Sequence, residues 1–237
     1  MYKRFKSTIS NNRHFLVFIL LMVLFRGAIA DWSDVPTGSM QPTIQIGDRI
    51  LIDKTAYDIR IPLTHISLYQ LGNPQRGDVI IFDSAVSEKR LVKRVIGVPG
   101  DTIDMRNNEL TVNGAKLDYQ VADDLNRYTV KYEELDGEKH TIKIQRIAGR
   151  FANFGPIEVP ADHYLVLGDN RDSSADSRVI GFVPRKEIIG KSSRVAFSLD
   201  YDNYFLPRAE RFWASFNWVS QAKKVIRFCP IVLDLEK

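Results

Sequence analysis

Ser39 is the first residue in the chain whose neighbours suggest a chemical role. It lies in Pro36-Thr-Gly-Ser-Met-Gln-Pro42, where two prolines bracket a short turn and Gly38 permits backbone conformations that a side chain would forbid. A serine at the tip of such a turn, directly before a predicted strand at 49–54, can act as a nucleophile if a base removes its proton. Taken by themselves, these residues are better explained by a polar surface turn.

Histidines are the first candidates for that base. The chain has four, His14, His65, His140 and His163, and His163 follows Asp162 at the start of a predicted strand. A Ser-His-Asp triad is recognised by geometry rather than by chain order, so His163 remains an alternative base. A surface histidine at a strand start is the competing explanation.

Lys93 is the other candidate base. It lies in the apolar strand Leu91-Val-Lys-Arg-Val-Ile96, where alternation places it on the same face as Leu91 and Val95. If that face is buried, desolvation lowers the pKa of the amine, and a neutral amine can accept the proton of a serine hydroxyl. If the face is exposed, Lys93 is an ordinary surface lysine.

A polar loop, Gly168-Asp-Asn-Arg-Asp-Ser-Ser-Ala-Asp-Ser-Arg178, favours the lysine hypothesis. It concentrates three aspartates, two arginines and three serines in a segment too short to be the charged face of a helix. Carboxylate and guanidinium pairs of this density can fix a loop, while a hydroxyl from it orients the lysine amine. As a set, these residues are typical of scaffolding around a reactive pair.

Short strands separated by turn residues must position these groups. We predict strands at 49–54, 79–82, 91–98, 102–105, 109–112, 129–132, 141–147, 164–167, 179–183 and 188–197. Their close spacing favours an antiparallel, mostly β fold over alternating strands and helices. The charged region 115–160 is predicted to be a small, solvated β-insertion whose charges lie on exposed faces.

Composition excludes several classes of protein. The 237 residues carry a formal charge of +4, and residues 1–14 hold four of the 33 basic residues and no acidic one, leaving 29 basic against 29 acidic residues. A broad nucleic-acid-binding surface is therefore not expected. The single cysteine, Cys229, excludes an intrachain disulfide and a cysteine-based zinc site.

An apolar run at 15–25 follows the basic N-terminus and ends at Arg26. A cleavable secretory signal, with Ala28-Ile-Ala30 as its cleavage site, and a short membrane anchor, with Arg26 reaching the outer interface, explain the run equally well. In both cases the basic end stays inside, and residues after Asp31 are expected on the extracytoplasmic side.

The C-terminal tail is predicted to form an amphipathic helix. Phe212, Phe216, Val219 and Ile226 share one face at helical spacing. Packing against the core and a position on the membrane surface both explain this stripe, and the nearby tryptophans favour the membrane.

The chain resembles the bacterial type I signal peptidases, the Ser-Lys proteases that remove signal peptides from exported proteins. The matching segments occur in the family's order: 36–43 with 46–48, then 76–82, 92–101, and 168–178 with 181–184. Each segment is uninformative alone, but four in series are highly specific.

The resemblance implies a role for each matching residue. Ser39 would be the nucleophile, Lys93 the general base and Ser174 the hydroxyl that hydrogen-bonds the lysine. The Ser39 N–H and the Thr37 hydroxyl would form the oxyanion hole, and Met40 would face the substrate cleft. Structural support is assigned to five further residues: Arg94, Asp169, Arg171, Asp176 and Arg178.

The resemblance also implies an organisation and a location. Residues 1–30 would be a cytoplasmic tip and a retained single-pass anchor, and 31–114 and 161–200 the two parts of the catalytic β-domain. Between and after them lie the insertion already predicted at 115–160 and a C-terminal tail at 201–237, for which core packing and a position on the membrane both stay open. The catalytic domain would lie on the periplasmic face of the bacterial inner membrane. Its expected partners are preprotein signal peptides and membrane lipid, with no nucleic acid, metal or cofactor.

Three other functions stay open at this point. One is a specialised processing peptidase of the same superfamily, such as those of conjugation systems. A second is a self-cleaving repressor domain with a Ser-Lys pair, against which the apolar N-terminus argues. The third is an anchored β-domain whose serine turn binds a peptide without cutting it.

Overall fold

The computed structural model describes residues 12–62, 64, 66–147 and 149–216. The predicted mostly β, antiparallel fold is confirmed. The helices are α1 (Arg13–Ala28) and the short α2 (Ser177–Ile180), with 3-10 turns at Arg171–Ser173, Arg185–Glu187 and Ala209–Arg211. The strands are β1 Ala30–Asp34, β2 Asp48–Asp53, β3 Asp58–Arg60, β4 Ser67–Gln70, β5 Val79–Ser84, β6 Lys89–Gly97, β7 Thr102–Arg106, β8 Glu109–Val112, β9 Ala115–Lys116, β10 Asp118–Asp124, β11 Tyr128–Leu135, β12 Glu138–Gln145, β13 Phe154–Glu158, β14 His163–Leu167, β15 Val183–Pro184, β16 Ile188–Ser192, β17 Val195–Asp200 and β18 Leu206–Pro207.

The main sheet contains nine strands of the described chain. They follow the order β15-β14-β6-β5-β16-β2-β17-β18, with β1 paired to β2, and neighbouring strands are antiparallel. Strand β6 therefore lies in the interior of the sheet between β5 and β14. Residues 89–94 of β6 pair with β5 and residues 94–97 pair with β14, and these two ladders give the strand a rigid frame.

Smaller sheets pack around this frame. Strands β13-β7-β8-β9 form one sheet, the hairpin β3-β4 another, and β10-β11-β12 a three-stranded sheet between residues 118 and 145. We call this last sheet the insertion sheet. A backbone bridge between Lys143 and Asn170 joins it to the polar loop at 168–178.

The apolar core covers both faces of the central strands. On β5, Val79 and Ile81 belong to one buried cluster, while Ile80 and Phe82 belong to another. This two-sided burial explains why β5 is a continuous apolar run rather than an alternating one. Each large apolar side chain so buried contributes roughly 1.5–3 kcal/mol relative to an exposed one.

Helix α1 extends the chain before the first strand. Its residues Phe15 to Val23 are 42–61% exposed. Within the described ranges, no helix has both the length and the apolar content needed to cross a membrane. Its end is tied to the β-domain, because Asp31 accepts a hydrogen bond from Arg26 (2.7 Å) and lies 3.3 Å from the Lys54 amine.

Two strand predictions were wrong in the region after the polar loop. Residues 179–183 were predicted as a strand, but α2 occupies its first half because the Asp176 carboxylate caps the helix by accepting from the Arg178 N–H. Gly181, with φ of 81°, ends the helix. The single strand predicted at 188–197 is two strands, β16 and β17, which lie on opposite sides of β2.

The described part of the tail is not an amphipathic helix. After the 3-10 turn at Ala209–Arg211, Ser215 forms a bridge with Arg194, so the chain there is extended. Phe212 is exposed while Phe216 is buried, and the two do not share a face. The rest of the predicted helix, including Val219 and Ile226, lies outside the described residues.

Candidate active site

The serine turn lies between β1 and β2. Its backbone is closed by hydrogen bonds from Gln41 N to the Gly38 carbonyl (3.1 Å) and from Ile44 N to the Met40 carbonyl (2.9 Å). Gly38 does not adopt a positive φ, contrary to its expected role, and a Cβ there would meet only the flexible Gln41 side chain. Ser39 is partly exposed at the tip of this turn.

Lys93 is brought to Ser39 by the central strand β6. Its Nζ atom lies 2.7 Å from Ser39 Oγ and 3.0 Å from the Val92 carbonyl oxygen. Only 2% of Lys93 is exposed, because both faces of β6 are covered. This desolvation lowers the pKa of Lys93 to about 8, against the opposing charges of Asp176 and Asp169. At that pKa, roughly a tenth of the amines are neutral at pH 7.

Gly168 allows the polar loop to approach the serine turn closely. A Cβ at this position would lie 2.3 Å from Ser174 Oγ and 2.5 Å from the Ser39 carbonyl oxygen. Ser174 Oγ is buried and has no hydrogen-bond partner among the described residues. Its predicted bond to Lys93 is therefore not formed in this structure, although its position beside Gly168 places it near the serine turn.

Asn170 makes two contacts with the serine turn that sequence reasoning missed. Its Nδ2 donates to the Gly38 carbonyl oxygen and its backbone N–H donates to the Ser39 carbonyl oxygen, both at 3.0 Å. The only sequence signal was its position next to Asp169. The acceptors are backbone carbonyl oxygens, which every residue has, so no particular residue type in the sequence indicates this contact.

Asp169 and Arg94 form a buried, bidentate ion pair. Arg94 Nε lies 2.9 Å from Asp169 Oδ1, and Nη2 lies 2.8 Å from Oδ2. Thr43 donates its hydroxyl proton to the same carboxylate at 2.5 Å. Burial raises the pKa of Asp169, but the charge of Arg94 outweighs it and lowers the pKa below its usual value. The pair joins β6 to both the polar loop and the serine turn.

Asp176 and Arg178 fix the other end of the loop. Both Asp176 oxygens accept from Arg178, at 2.8 and 2.7 Å, and Asp176 also accepts from the Gly168 N–H at 3.0 Å. The start of the loop is thereby tied to its end. This arrangement holds Gly168 in place against Ser39.

Arg171 leaves the loop in the opposite direction, toward the insertion sheet. It pairs with Glu133, and His140 Nε2 lies 3.0 Å from the same carboxylate. All three side chains are buried. The prediction that the charges of the insertion lie on exposed faces is therefore wrong for Glu133 and His140. Arg171, distant in sequence, neutralises Glu133, and His140 faces the same carboxylate from the adjacent strand.

Met40 does not face a cleft, and that prediction is wrong. Its side chain is 1% exposed and packs in the apolar cluster with Ile44 and Ile50 beneath the serine turn. Thr37 is exposed, and its hydroxyl makes no hydrogen bond to the described residues. Met40 thus supports the turn from below, while Thr37 lies on its outer side.

None of the described histidines contacts Ser39. His163 Nδ1 lies 2.8 Å from the Ala161 carbonyl oxygen, and His14 contacts its neighbour Arg13 in α1. His140 is buried beside Glu133. His65 lies outside the described residues. Among the described candidates for a base, Lys93 is the one in contact with the serine hydroxyl.

Comparison with known proteins gives consistent matches. The family model described as "Signal peptidase, peptidase S26" matches residues 9–197. Signal peptidase I of Pseudomonas aeruginosa is 34% identical over 203 residues, covering 78% of this chain and 71% of that protein. Signal peptidase I P of Bacillus subtilis subsp. natto is 32% identical over 200 residues, covering 84% and 94%.

Comparison with solved structures also gives matches. The crystal structure of a signal peptidase I from Enterococcus faecalis shares 30% sequence identity and covers 50% of this chain and 96% of its own, with a TM-score of 0.34. The family match extends over most of the chain and includes both segments that meet at Ser39 and Lys93. This chain belongs to the signal peptidase family, peptidase S26.

Proposed function

We propose that this chain removes N-terminal signal peptides from exported preproteins, with Ser39 as the nucleophile and Lys93 as the general base. The observation that carries the proposal is the 2.7 Å contact between Ser39 Oγ and a buried amine. The pKa of about 8 supports it, because the amine is partly neutral under physiological conditions. Family membership supplies the reaction class.

The chemistry follows from these two groups. Ser39 Oγ transfers its proton to Lys93 Nζ and bonds to the carbonyl carbon of the scissile peptide, whose electron pair moves to oxygen. Lys93 then donates the proton to the leaving amine as the C–N bond breaks, which leaves an ester on Ser39. Water gives a proton to Lys93 and attacks the ester, and Ser39 recovers its proton when the ester bond breaks.

The negative charge that develops on the substrate carbonyl oxygen must be stabilised by hydrogen-bond donors. The backbone N–H of Ser39 and the hydroxyl of Thr37 fill this role in the proposal, and neither is bonded to another described residue. Each preorganised donor of this kind typically contributes about two orders of magnitude in rate. Ser174, whose buried hydroxyl is unpartnered, is available to stabilise the lysine once it is charged.

The substrate is expected to bind as an extended strand with small residues at the first and third positions before the cut. This is the Ala-x-Ala preference that the family resemblance implies. Main-chain hydrogen bonds to an extended peptide supply affinity, and shallow pockets supply specificity. The bond to be cut then reaches Ser39 from outside the turn, where the side chain is accessible.

Helix α1 is proposed to hold the chain in the bacterial inner membrane, with the N-terminus in the cytoplasm and the β-domain on the periplasmic face. Residues Phe15 to Val23 expose apolar side chains that the β-domain does not cover. The 16 residues of α1 rise about 24 Å, against about 30 Å for a bilayer core. Local thinning and the long side chain of Arg26 can accommodate that difference.

Cleavage by purified full-length protein in detergent tests the proposal. The substrate is a preprotein with an Ala-x-Ala site, and mass spectrometry locates the cut. Ser39→Ala and Lys93→Met are expected to abolish cleavage, while Ser33→Ala and Lys89→Met, a serine on β1 and an exposed lysine on β6, leave it unchanged. Wild-type rates in Ser39→Ala would contradict the role of Ser39 as the nucleophile. Failure of the wild-type protein to cut any such preprotein, with Ser39→Ala changing nothing, would favour a peptide-binding domain.

Extraction of bacterial membranes that contain the protein tests the anchor. After alkaline carbonate extraction of bacterial membranes, the full-length protein is expected in the pellet. A variant with Leu16, Leu20 and Val23 replaced by glutamate is expected in the supernatant, since charges within the run oppose insertion. Retention of that variant in the membrane would assign the attachment to another part of the chain.

Profiling of many preproteins separates a general from a specialised peptidase.

A further inference from the structure

Asn170 holds both peptide groups that flank the proposed nucleophile. Its side-chain Nδ2 donates to the Gly38 carbonyl and its backbone N–H to the Ser39 carbonyl, each at 3.0 Å. We propose that Asn170 is a positioning residue that orients the Gly38–Ser39 peptide group so that the Ser39 N–H points at the charge developing on the substrate carbonyl oxygen. The inference rests on the proposed function of Ser39.

Peptide geometry connects the two ends of this group. The Gly38–Ser39 peptide is trans, since the only cis bond within the described chain is Gln41–Pro42. In a planar trans peptide the C=O and the N–H point in opposite directions. A hydrogen bond that fixes the Gly38 carbonyl therefore fixes the direction of the Ser39 N–H on the far side.

The local sequence makes this peptide sensitive to such a restraint. Gly38 has no Cβ, so rotation of the peptide that follows it is weakly hindered. No described residue accepts a hydrogen bond from the Ser39 N–H, and the Gly38 carbonyl has one other donor, the Gln41 N–H at 3.1 Å within the same turn, so the Asn170 amide is the restraint that comes from outside the turn. A carbonyl that accepts a hydrogen bond also polarises its peptide group, which makes the attached N–H a stronger donor.

Asn170 can serve as a restraint because it is itself held firmly. It is 7% exposed. Its carbonyl accepts from the Ser173 N–H at 3.0 Å, and the carbonyl of the preceding Asp169 accepts from the Lys143 N–H at 2.8 Å. The carboxylate of Asp169 is paired with Arg94. The amide is thereby presented from a rigid backbone to a turn that contains glycine.

The expected effect is selective for the transition state. The substrate oxygen becomes charged when Oγ bonds to the carbonyl carbon, so an N–H aimed at it acts mainly at that point. Removal of an oxyanion-hole donor lowers kcat by about 10²–10³-fold. Loss of the Asn170 amide leaves the donor present but poorly aimed, so we expect kcat to fall by about 10–100-fold with little change in KM.

Two variants and two inhibitors test this. Asn170→Ala removes the amide, and Asn170→Asp keeps its size but removes the donor. A peptide aldehyde ending in Ala-x-Ala forms a hemiacetal with Ser39 whose oxygen lies where the charge develops, whereas the corresponding peptide alcohol only binds. Both variants are expected to weaken binding of the aldehyde by about the same factor as they lower kcat, with binding of the alcohol unchanged. The acid limb of the pH profile is expected to stay in place in Asn170→Ala, which introduces no charge near Lys93.

Asn113→Ala is the matched control. It removes an amide that bridges the Asp101 carboxylate and the Thr102 N–H, at 2.8 and 2.9 Å, away from the serine turn. Its kinetics are expected to match the wild type. The thermal unfolding temperature of each variant shows whether a loss of activity is caused by a loss of folded structure.

The results separate this inference from the proposed function. Unchanged kcat in both Asn170 variants, or equal weakening of aldehyde and alcohol, would overturn the positioning role, as would unfolding of both variants. Wild-type cleavage by Ser39→Ala would overturn the function of the serine instead. Because Asn170→Asp is isosteric, it remains informative if Asn170→Ala does not fold.

Discussion

Arg171 and Glu133 form an ion pair with 2.5 Å between Arg171 Nη2 and Glu133 Oε1, and neither side chain is exposed. Arg171 belongs to the loop beside Ser39, and Glu133 belongs to the insertion sheet. Tyr119 also donates its hydroxyl proton to this carboxylate at 2.6 Å. Burial raises the pKa of Glu133, but the charges of Arg171 and His140 outweigh it and hold the pKa well below its usual value.

Glu133→Gln is expected to destabilise the protein strongly. The substitution leaves the Arg171 guanidinium buried without a counter-charge, and breaking a buried pair in this way typically costs about 3–5 kcal/mol. Urea unfolding measures the change. Glu134→Gln is the control, because its pair with Lys139 is partly exposed and 3.5 Å long, so a change within about 0.5 kcal/mol is expected. Equal effects in both variants would contradict the buried-pair explanation.

The pH dependence of cleavage is expected to follow Lys93. Below its pKa of about 8 the amine is charged and cannot accept the serine proton, so kcat/KM is expected to fall as pH decreases through that value. The measurement is the acid limb of the profile with a peptide substrate. His163→Ala is expected to leave the limb in place, since His163 does not contact Ser39. A limb that disappears in this variant would assign the base to histidine.

Lys93→Met is expected to stabilise the fold while abolishing cleavage. The folded pKa of about 8 lies below the value of 10.5 for an unperturbed lysine, so the unfolded chain binds a proton more readily between these two pH values. The free energy of unfolding therefore rises with pH across this window, and the penalty for the buried charge is full below it. At pH 7 the variant is expected to gain up to about 3 kcal/mol in unfolding experiments. Lys89→Met, on the exposed end of β6, is expected to show no such gain, and a destabilised Lys93→Met would contradict the explanation.

Gly168→Ala is expected to lower kcat by more than about 100-fold, because a displacement of about 1 Å at a reacting group has effects of that size. The new Cβ would overlap Ser174 Oγ and the Ser39 carbonyl, at 2.3 and 2.5 Å, so the loop or the turn must move. Steady-state kinetics measure the loss. Gly72→Ala, whose Cβ would lie 3.7 Å from its nearest neighbour, is the control and is expected to behave like the wild type. Normal activity in Gly168→Ala would show that the loop adapts.

The mostly β fold could be predicted because turn residues and apolar strands are local signals. The contact between Ser39 and Lys93 could also be predicted, because the motifs that contain them occur in the order found in the signal peptidase family. Alternation could not show that Lys93 and Arg94 are both buried, because β6 is covered on both faces and its side chains reach different partners. The capping aspartate before α2 and the glycine after it were readable signals for a helix in place of the strand expected there.

The burial of Glu133 and His140 could not be predicted from their surroundings. Their immediate neighbours are charged, and the partner that neutralises Glu133 is Arg171, 38 residues away. Met40 faces the core because adjacent residues in this turn point in different directions, and its apolar type is compatible with either location. Such outcomes depend on which elements pack together, and a linear pattern does not contain that information.

The bridge between Lys143 and Asn170 limits how the insertion sheet can be replaced. The Lys143 N–H bonds to the Asp169 carbonyl, and the next residue, Asn170, bonds to the Ser39 carbonyl, so two backbone contacts connect the insertion sheet to the nucleophile. The insertion therefore cannot be exchanged between relatives without an effect on the active site. A transplanted insertion would need an edge strand in the same register and a buried carboxylate at the same place. Chimeras that keep both features should retain activity more often than chimeras in which only the length of the insertion is matched.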